Sequence, residues 1–503
     1  MEVSEVEAQR STHEHSREQS DEADYVIVGS GAGGATAARV LSAAGRSVLL
    51  IEEGPSLATH ERPRAMLEAL RLTLRDAGTQ TTRGAAPFPL LQACMVGGTT
   101  AVNSGITWRL PDDVRADWSV QHGLSELVEE RALSRIFEQI ERELSIHATE
   151  AAVLGENAHL LELAAGTLSL SGNAIARNTR DCVGSARCLQ GCPRAARQSM
   201  DVSYVPFSLA HGARLWERAR VEQIELSGGR ALGVRGHRLD ANRKPGAPFR
   251  ARARRGVIVA CGALHTPLLL RKAGLRGLVG ERFQAHPGAA VVGVFDAPVV
   301  QGFGATQGYE IPLRARGFKV ESLSLPPELL AARLPGVGAD WQRRLADLGH
   351  YAHWAAQVRM RAHGSVRADF SGRPRVRFTP LVEDMEKVRE SVALMVRLFF
   401  AAGAREVSHG VHGLPPYFHS PEQAELIERH PAKPSYFHML ASHLFGTACA
   451  GKDPAKSVVG PFLECHAIKS LFVMDASVFP TNLGVNPQHS IMALAFRAAE
   501  RLC

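Results

Sequence analysis

The stretch from Tyr25 to Glu52 limits the possible folds more than any other part of this chain. Tyr25-Val-Ile-Val28 reads as a short apolar strand and is followed by Gly29-Ser-Gly31-Ala-Gly-Gly34. A helical stretch from Ala35 to Ala44, a second strand from Ser47 to Ile51 and then the acid Glu52 complete the unit. In such a unit the first glycine permits a tight turn, the second lets backbone approach a pyrophosphate, and the third lets the helix close on the strand. Gly29, Gly31 and Gly34 take these places, and Glu52 is placed for a ribose hydroxyl. Three glycines alone are a weak signal. Strand, glycines, helix, strand and acid in this order are a strong one, and they predict a Rossmann-like α/β domain that binds a dinucleotide.

The fingerprint does not separate NAD from FAD, but the chain further on does. Arg214 to Leu226 and Ala231 to Arg238 read as strands joined at Ser227-Gly-Gly-Arg230, and Gly256 to Ala260 forms another apolar strand. A plain doubly wound fold would have a helix in this connection. A β-rich one resembles the FAD domain of flavoproteins of the two-dinucleotide-fold type, so FAD is favoured over NAD.

Two further stretches carry groups suited to chemistry. Val96-Gly97-Gly98-Thr99-Thr100-Ala101-Val102-Asn103 pairs glycines that allow close backbone approach with hydroxyls and an amide that can hydrogen-bond a polar ligand. Near the end, His443 opens His-Leu-Phe-Gly-Thr and Asn486 stands in Gly-Val-Asn-Pro, with a strand from Leu471 to Asp475 between them. Pro487 suits the first position of a helix, whose free NH groups would favour a developing anion nearby.

Composition bounds the rest. At 503 residues and 45% hydrophobic side chains the chain can fill two cores. Its net charge of +7 hides an acidic start, since residues 1–24 carry −6 and leave +13 on the remainder. No concentrated basic run accompanies that surplus, which argues against a nucleic-acid partner. Eight cysteines are too few and too unevenly spaced for a disulfide framework and fit a reducing, cytoplasmic setting. Cys182, Cys188 and Cys192 lack the spacing of a zinc site and a matching fourth ligand, so no metal is expected. No apolar run is long enough to span a bilayer, and the opening residues are too polar for a signal peptide.

The motifs together resemble the glucose-methanol-choline (GMC) family of FAD-dependent alcohol oxidoreductases. The resemblance runs through the fingerprint, Gly97 to Asn103, Cys261-Gly-Ala-Leu-His-Thr-Pro267, His443-Leu-Phe-Gly-Thr447 and Asp475-Ala-Ser-Val-Phe-Pro480 leading into Asn486-Pro487. Cys182 to Pro193, Tyr204 and the ending Phe479 to Pro487 are most similar to bacterial relatives of long-chain alcohol oxidases. This implies that Gly29, Gly31, Gly34 and Glu52 hold the ADP half of FAD and that Val221 meets adenine through its backbone. It also implies that Gly98, Thr99, Asn103, Asp475 and Ala476 line the rest of the cofactor, and that His443 and Asn486 are the catalytic pair. Two departures stand out. Val102 replaces the histidine that links flavin covalently in some relatives, so FAD is expected to be non-covalent. Ala448-Cys449-Ala450 stands where the family usually has an Arg-Met pair.

The expected organisation is a disordered acidic tail (1–23), a discontinuous FAD-binding domain (24–300 and 441–503) and an α+β substrate-binding domain (301–440). In the last, Val388, Val392, Met395, Val396 and Phe399 form the buried stripe of a helix from Asp384 to Ala402. The expected activity is oxidation of a small-molecule, hydrophobic alcohol, with O2 or another carrier as electron acceptor. The alternatives are a non-redox lyase or photodecarboxylase on the same fold, and a catalytically silent flavin-binding protein. His286 is expected to be structural, and His489 is a possible supporting group behind Asn486.

Overall fold

The computed structural model describes residues 18–503. Two seven-stranded sheets carry most of the core. In the first, Arg214–Trp216, Val48–Ile51, Gln19–Val28, Pro245–Val259 and Leu471–Val473 run parallel. Arg230–Leu239 and Ala219–Ser227 extend the sheet antiparallel. The long strand Pro245–Val259 serves both parts: its first half pairs with Arg230–Leu239 and its last residues with Leu471–Val473. This is the β-rich connection the sequence predicts. Tyr25 to Val28 and Val48 to Ile51 are wholly buried, as strands covered on both faces must be. The helices Ala32–Ala43 and Gln488–Glu500 pack together on the sheet.

The turn out of the first strand needs its glycines. Gly29 has φ of 100°, in the left-handed region that side chains avoid. A Cβ on Gly34 would lie 1.9 Å from the carbonyl oxygen of Gly29, so the helix can close on the strand only without one. Gly31 differs: a Cβ there would meet nothing within 4 Å, because it faces open space.

The second sheet is antiparallel, in the order Glu406–Ser408, Gln284–Val294, Tyr351–Val358, Phe318–Ser322, Tyr309–Ile311, Asn173–Ala174, with Met439–Phe445 also paired to Gln284–Val294. The helix Val382–Ala401 buries Val388, Val392, Met395, Val396 and Phe399 against it, and Phe399 stacks on Trp354.

Two of the expected boundaries need correction. Gln284–Val294 belongs to the second sheet although it precedes residue 300, and so does Met439–Phe445, which carries His443 and crosses the expected boundary at residue 441. An apolar strand shows its pattern in the sequence but not its partner, and these two strands pair with each other. The acidic tail is also shorter than expected. Residues 1–17 lie outside the described residues, but Gln19 to Ala23 are already in a strand, paired in parallel with Phe249 to Ala253. Their charges are matched by arginines: Asp21 lies 2.8 Å from Arg214, Glu22 3.3 Å from Arg254 and Asp24 3.1 Å from Arg254. A polar stretch that cannot bury apolar surface is thus held by a complementary neighbour. Among the described residues no helix is long and apolar enough to cross a membrane.

Candidate active site

A cavity of about 1730 Å³ runs between the two sheets. The start of the helix Ala32–Ala43 opens into it, with Gly29, Gly31 and Gly33 on its wall. Gly34 does not reach the cavity, and its part is the close packing against Gly29. Glu52 lies beside the turn and is fixed by three donors: Ser30 N at 3.0 Å, Ser30 Oγ at 2.8 Å and Gly54 N at 2.9 Å. Burial raises its carboxyl above the ordinary range. Val221 faces the same end, and the strand register slips between Val221 and Gln223, a bulge that takes backbone groups out of the ladder.

The glycine-rich loop closes over this end. Gly98 has φ of 54°, and a Cβ on it would come within 2.9 Å of the Gly31 Cα, so the two backbones meet at the cavity wall. Ser30 Oγ accepts a bond from Gly97 N at 3.0 Å. Arg197, fully buried, donates to the carbonyls of Ala101 and Asn103, and to that of Cys188 at 2.9 Å. Thr99 and Asn103 line the cavity, and the Asn103 amide donates to Gln488 Oε1 at 2.5 Å while accepting from Gly105 N at 2.9 Å. Asp475, also on the wall beside Ala476, accepts from Gly262 N at 2.9 Å, Thr266 Oγ1 at 2.5 Å and Ser477 N at 2.8 Å.

These residues fit FAD. There is open space over Gly31, a helix start directed at it, an acid and a bulged strand at one end, and loop and helix backbone at the other. At the far end Gln488 Nε2 is buried on the cavity wall with no protein partner, so a donor is left for a ligand. Val102 stands on the same wall and offers no atom for a covalent link.

At that end a strand of the second sheet and the start of the last helix bring the two candidate catalytic residues together. His443, half-buried on Met439–Phe445, lines the cavity, as does Asn486, one residue before the Pro487 cap of the helix Gln488–Glu500. Burial and, next, the Lys319 ammonium push His443 down to about 3, so it is neutral near pH 7 and able to accept a proton. His286 meets the His443 ring edge-on, with centroids 5.6 Å apart, and Asn482 Oδ1 holds its Nε2 at 2.9 Å. Burial holds His286 well below the usual imidazole range.

Lys319 has no counterpart in the sequence reading. It lies on Phe318–Ser322 and is wholly buried, with Glu310 and Glu321 at 2.8 and 2.5 Å and the Asn486 amide oxygen against its ammonium. Phe318-Lys-Val-Glu-Ser alternates like a strand with one wet face, yet all five residues are buried. His489 faces away from the cavity, packed on Phe137 at 4.7 Å, which removes it as a supporting group for Asn486. Cys449 is buried with its thiol on the Gly446 carbonyl at 2.8 Å, a packing role. Cys188 accepts from Arg177 at 3.3 Å, and among the described residues no group of three or more His, Cys, Asp or Glu is placed to hold a metal ion.

Comparison with known proteins identifies the family. Two GMC oxidoreductase models match, one over residues 23–288 and one over 357–495. The chain is 35% identical to an uncharacterized GMC-type oxidoreductase of Mycobacterium tuberculosis, over 95% of this chain and 75% of that protein. It is 32% identical to another from Sinorhizobium fredii, over 95% and 94%. A long-chain-alcohol oxidase of Arabidopsis thaliana is 26% identical over 96% of this chain and 66% of its own length. Among solved structures, pyridoxine 4-oxidase from Mesorbium loti superposes with a TM-score of 0.70 at 18% identity, covering 95% of this chain and 98% of that one. Aspergillus oryzae formate oxidase gives 0.73 at 16% identity, covering 96% and 98%. At such identities these two likenesses bear on the fold alone. On the family models and the close relatives, the chain belongs to the GMC oxidoreductase family and is an FAD-binding oxidoreductase.

Proposed function

We propose that this oxidoreductase oxidises a hydrophobic alcohol to its carbonyl, with His443 and Asn486 as the catalytic pair. The observation that carries this reading is that both residues, from different elements, open onto the cavity whose other end is built for a dinucleotide. FAD, when bound, supplies the acceptor for the carbon-bound hydride. A neutral hydroxyl is a poor hydride donor until its proton is leaving, and a neutral ring nitrogen of His443 takes that proton. The Asn486 amide hydrogen-bonds the alcohol oxygen and steadies the charge building there.

The cavity lining supports the preference for a hydrophobic alcohol, since Leu189, Leu323, Leu325, Leu329, Phe437 and Leu440 stand on the wall. The similarity to a long-chain-alcohol oxidase points the same way. The test is an anaerobic screen for bleaching of the flavin. A long-chain primary alcohol is expected to reduce it with a much higher second-order rate constant than glucose. A flavin that no alcohol bleaches would overturn the reading. Reoxidation in air then separates O2 from another carrier as acceptor. With Val102 beside the flavin site, acid precipitation is expected to release intact FAD; flavin left on the pellet would contradict non-covalent binding.

A further inference from the structure

Resting on the reading of Asn486 as a catalytic residue, the geometry points to Lys319 as the positioning residue that fixes which end of the Asn486 amide meets the alcohol. An ammonium has three N–H donors and no acceptor. Those of Lys319 face Glu310 Oε2 at 2.8 Å, Glu321 Oε1 at 2.5 Å and the Asn486 amide. Whichever way an isolated amide turned, the end against a donor-only group must be its oxygen. The NH2 is then the end left for the cavity that Asn486 lines.

The choice matters chemically. An NH2 donates to the alcohol oxygen and grows stronger as negative charge builds on it. The carbonyl end would accept the hydroxyl proton, compete with His443 for it and oppose the developing charge. A side-chain amide has similar shape in its two orientations, so packing alone does not separate them. A charged donor behind it does.

The carboxylates beside Lys319 are themselves held by neighbouring donors. Glu310 Oε2 also accepts from Trp108 Nε1 at 3.3 Å and Glu310 Oε1 from Asn173 Nδ2 at 3.3 Å. Glu321 Oε2 accepts from Gln307 at 2.9 Å and Gln357 at 2.5 Å. Lys319, Glu310 and Glu321 are each at most 2% exposed. Buried ion clusters are often no more stable than apolar replacements of the same volume, so stability alone is a poor reason for three charges here. Fixing a neighbouring amide is a reason of a different kind. The same ammonium contributes to keeping His443 neutral.

The test uses holoenzyme and the double variant Lys319→Met with Glu321→Gln, which removes one charge of each sign. Anaerobic reduction by a long-chain alcohol is expected to slow on the order of 10-fold or more, as for a misaligned donor. In an Asn486→Ala background the same two changes are expected to cost less than about 3-fold, because the amide they orient is gone. An equal loss in both backgrounds, or no loss in either, would overturn the assignment. A second readout needs no variant. In crystals of the wild-type holoenzyme with a tertiary alcohol, which has no hydrogen to transfer, Asn486 Nδ2 is expected at about 2.7–3.2 Å from the hydroxyl oxygen. Its Oδ1 should remain on Lys319, and Lys319 turned away would sink the inference. His443→Ala separates the two levels: if it slows reduction while the Lys319 variant does not, only the positioning role fails.

Discussion

At the dinucleotide end of the cavity the turn from Val28 to Gly33, with Glu52 a short helix and strand away, is one local unit whose contribution is mostly backbone, and the Gly98 to Asn103 loop, Val221 and Asp475 join it from elsewhere in the chain. At the end proposed for the alcohol, Lys319, His443 and Asn486 come from separate elements far apart in sequence, and what they would offer is side chain. The first end is set by where a main chain can turn and is destroyed by adding atoms. The second is set by how two sheets meet and is altered by changing a charge or a proton acceptor. The two ends should therefore fail differently, the one by loss of cofactor and fold and the other by loss of rate with both retained.

The largest effect expected on this basis is at Gly34. Gly34→Val would drive a side chain into the Gly29 carbonyl, which is backbone and cannot swing aside. A cost on the order of 4 kcal/mol or more is expected, together with loss of FAD. Flavin absorbance per mole of protein and the thermal unfolding midpoint measure it, and a yellow variant with wild-type Tm would break the comparison. Next come the side chains proposed as the catalytic pair. His443→Ala is expected to lower the anaerobic reduction rate by about 10² to 10⁴-fold with FAD content unchanged. Asn486→Ala is expected to cost about 10²-fold. Near-normal reduction at saturating alcohol in His443→Ala would leave that histidine a mere neighbour of the flavin.

Acid should sharpen the contrast, because four of the imidazoles held low by burial, His265, His353, His409 and His443, stand at the cavity or at the second sheet. Burial holds His265, His353 and His443 at about 3 and His409 and His489 at about 4, against an ordinary 6.5. Each binds fewer protons folded than unfolded. Their contribution to stability is whole above about pH 6.5 and is lost as pH falls towards 3. Glu52, Glu321 and Asp475, raised by burial, act in the opposite sense, so the useful readout is a difference. Between pH 7.5 and 5.5 the urea midpoint of His353→Gln is expected to fall less than that of the wild type. Parallel curves would show that His353 titrates alike in both states. The smallest effect belongs to the edge of the first sheet: Asp21→Asn, which breaks a partly exposed pair with Arg214, should cost less than about 1 kcal/mol and become negligible in high salt. A larger loss would mean that the acidic strand is held by its charges rather than by its ladder.

Much of this was legible in the residues. The strand, glycines and Glu52, the β-rich connection that favours FAD and the stripe on Val382–Ala401 all carry local signatures, and His443 and Asn486, picked from their motifs, line one cavity. Other features do not. Gln19 to Ala23 read as a polar tail because their arginine partners lie far along the chain. The boundary at residue 441 cuts through Met439–Phe445 because nothing local to that strand names the sheet it joins. His489, three residues after Asn486, looked close in sequence, yet the helix turns it onto Phe137.

The sequence by itself determined where the backbone must bend, where a helix must start and which chemistry the reactive side chains can do, because glycine conformation, helix capping and acid–base character belong to a residue and its immediate neighbours. The tertiary structure alone decided which of those groups face one another. Lys319 is the clearest case: on its own strand it reads as an exposed charge, and only when Glu310, Glu321 and Asn486 close around it does burial turn that charge into a fixed donor beside the Asn486 amide. Long-range electrostatics and strand pairing depend on distances that the order of residues does not contain.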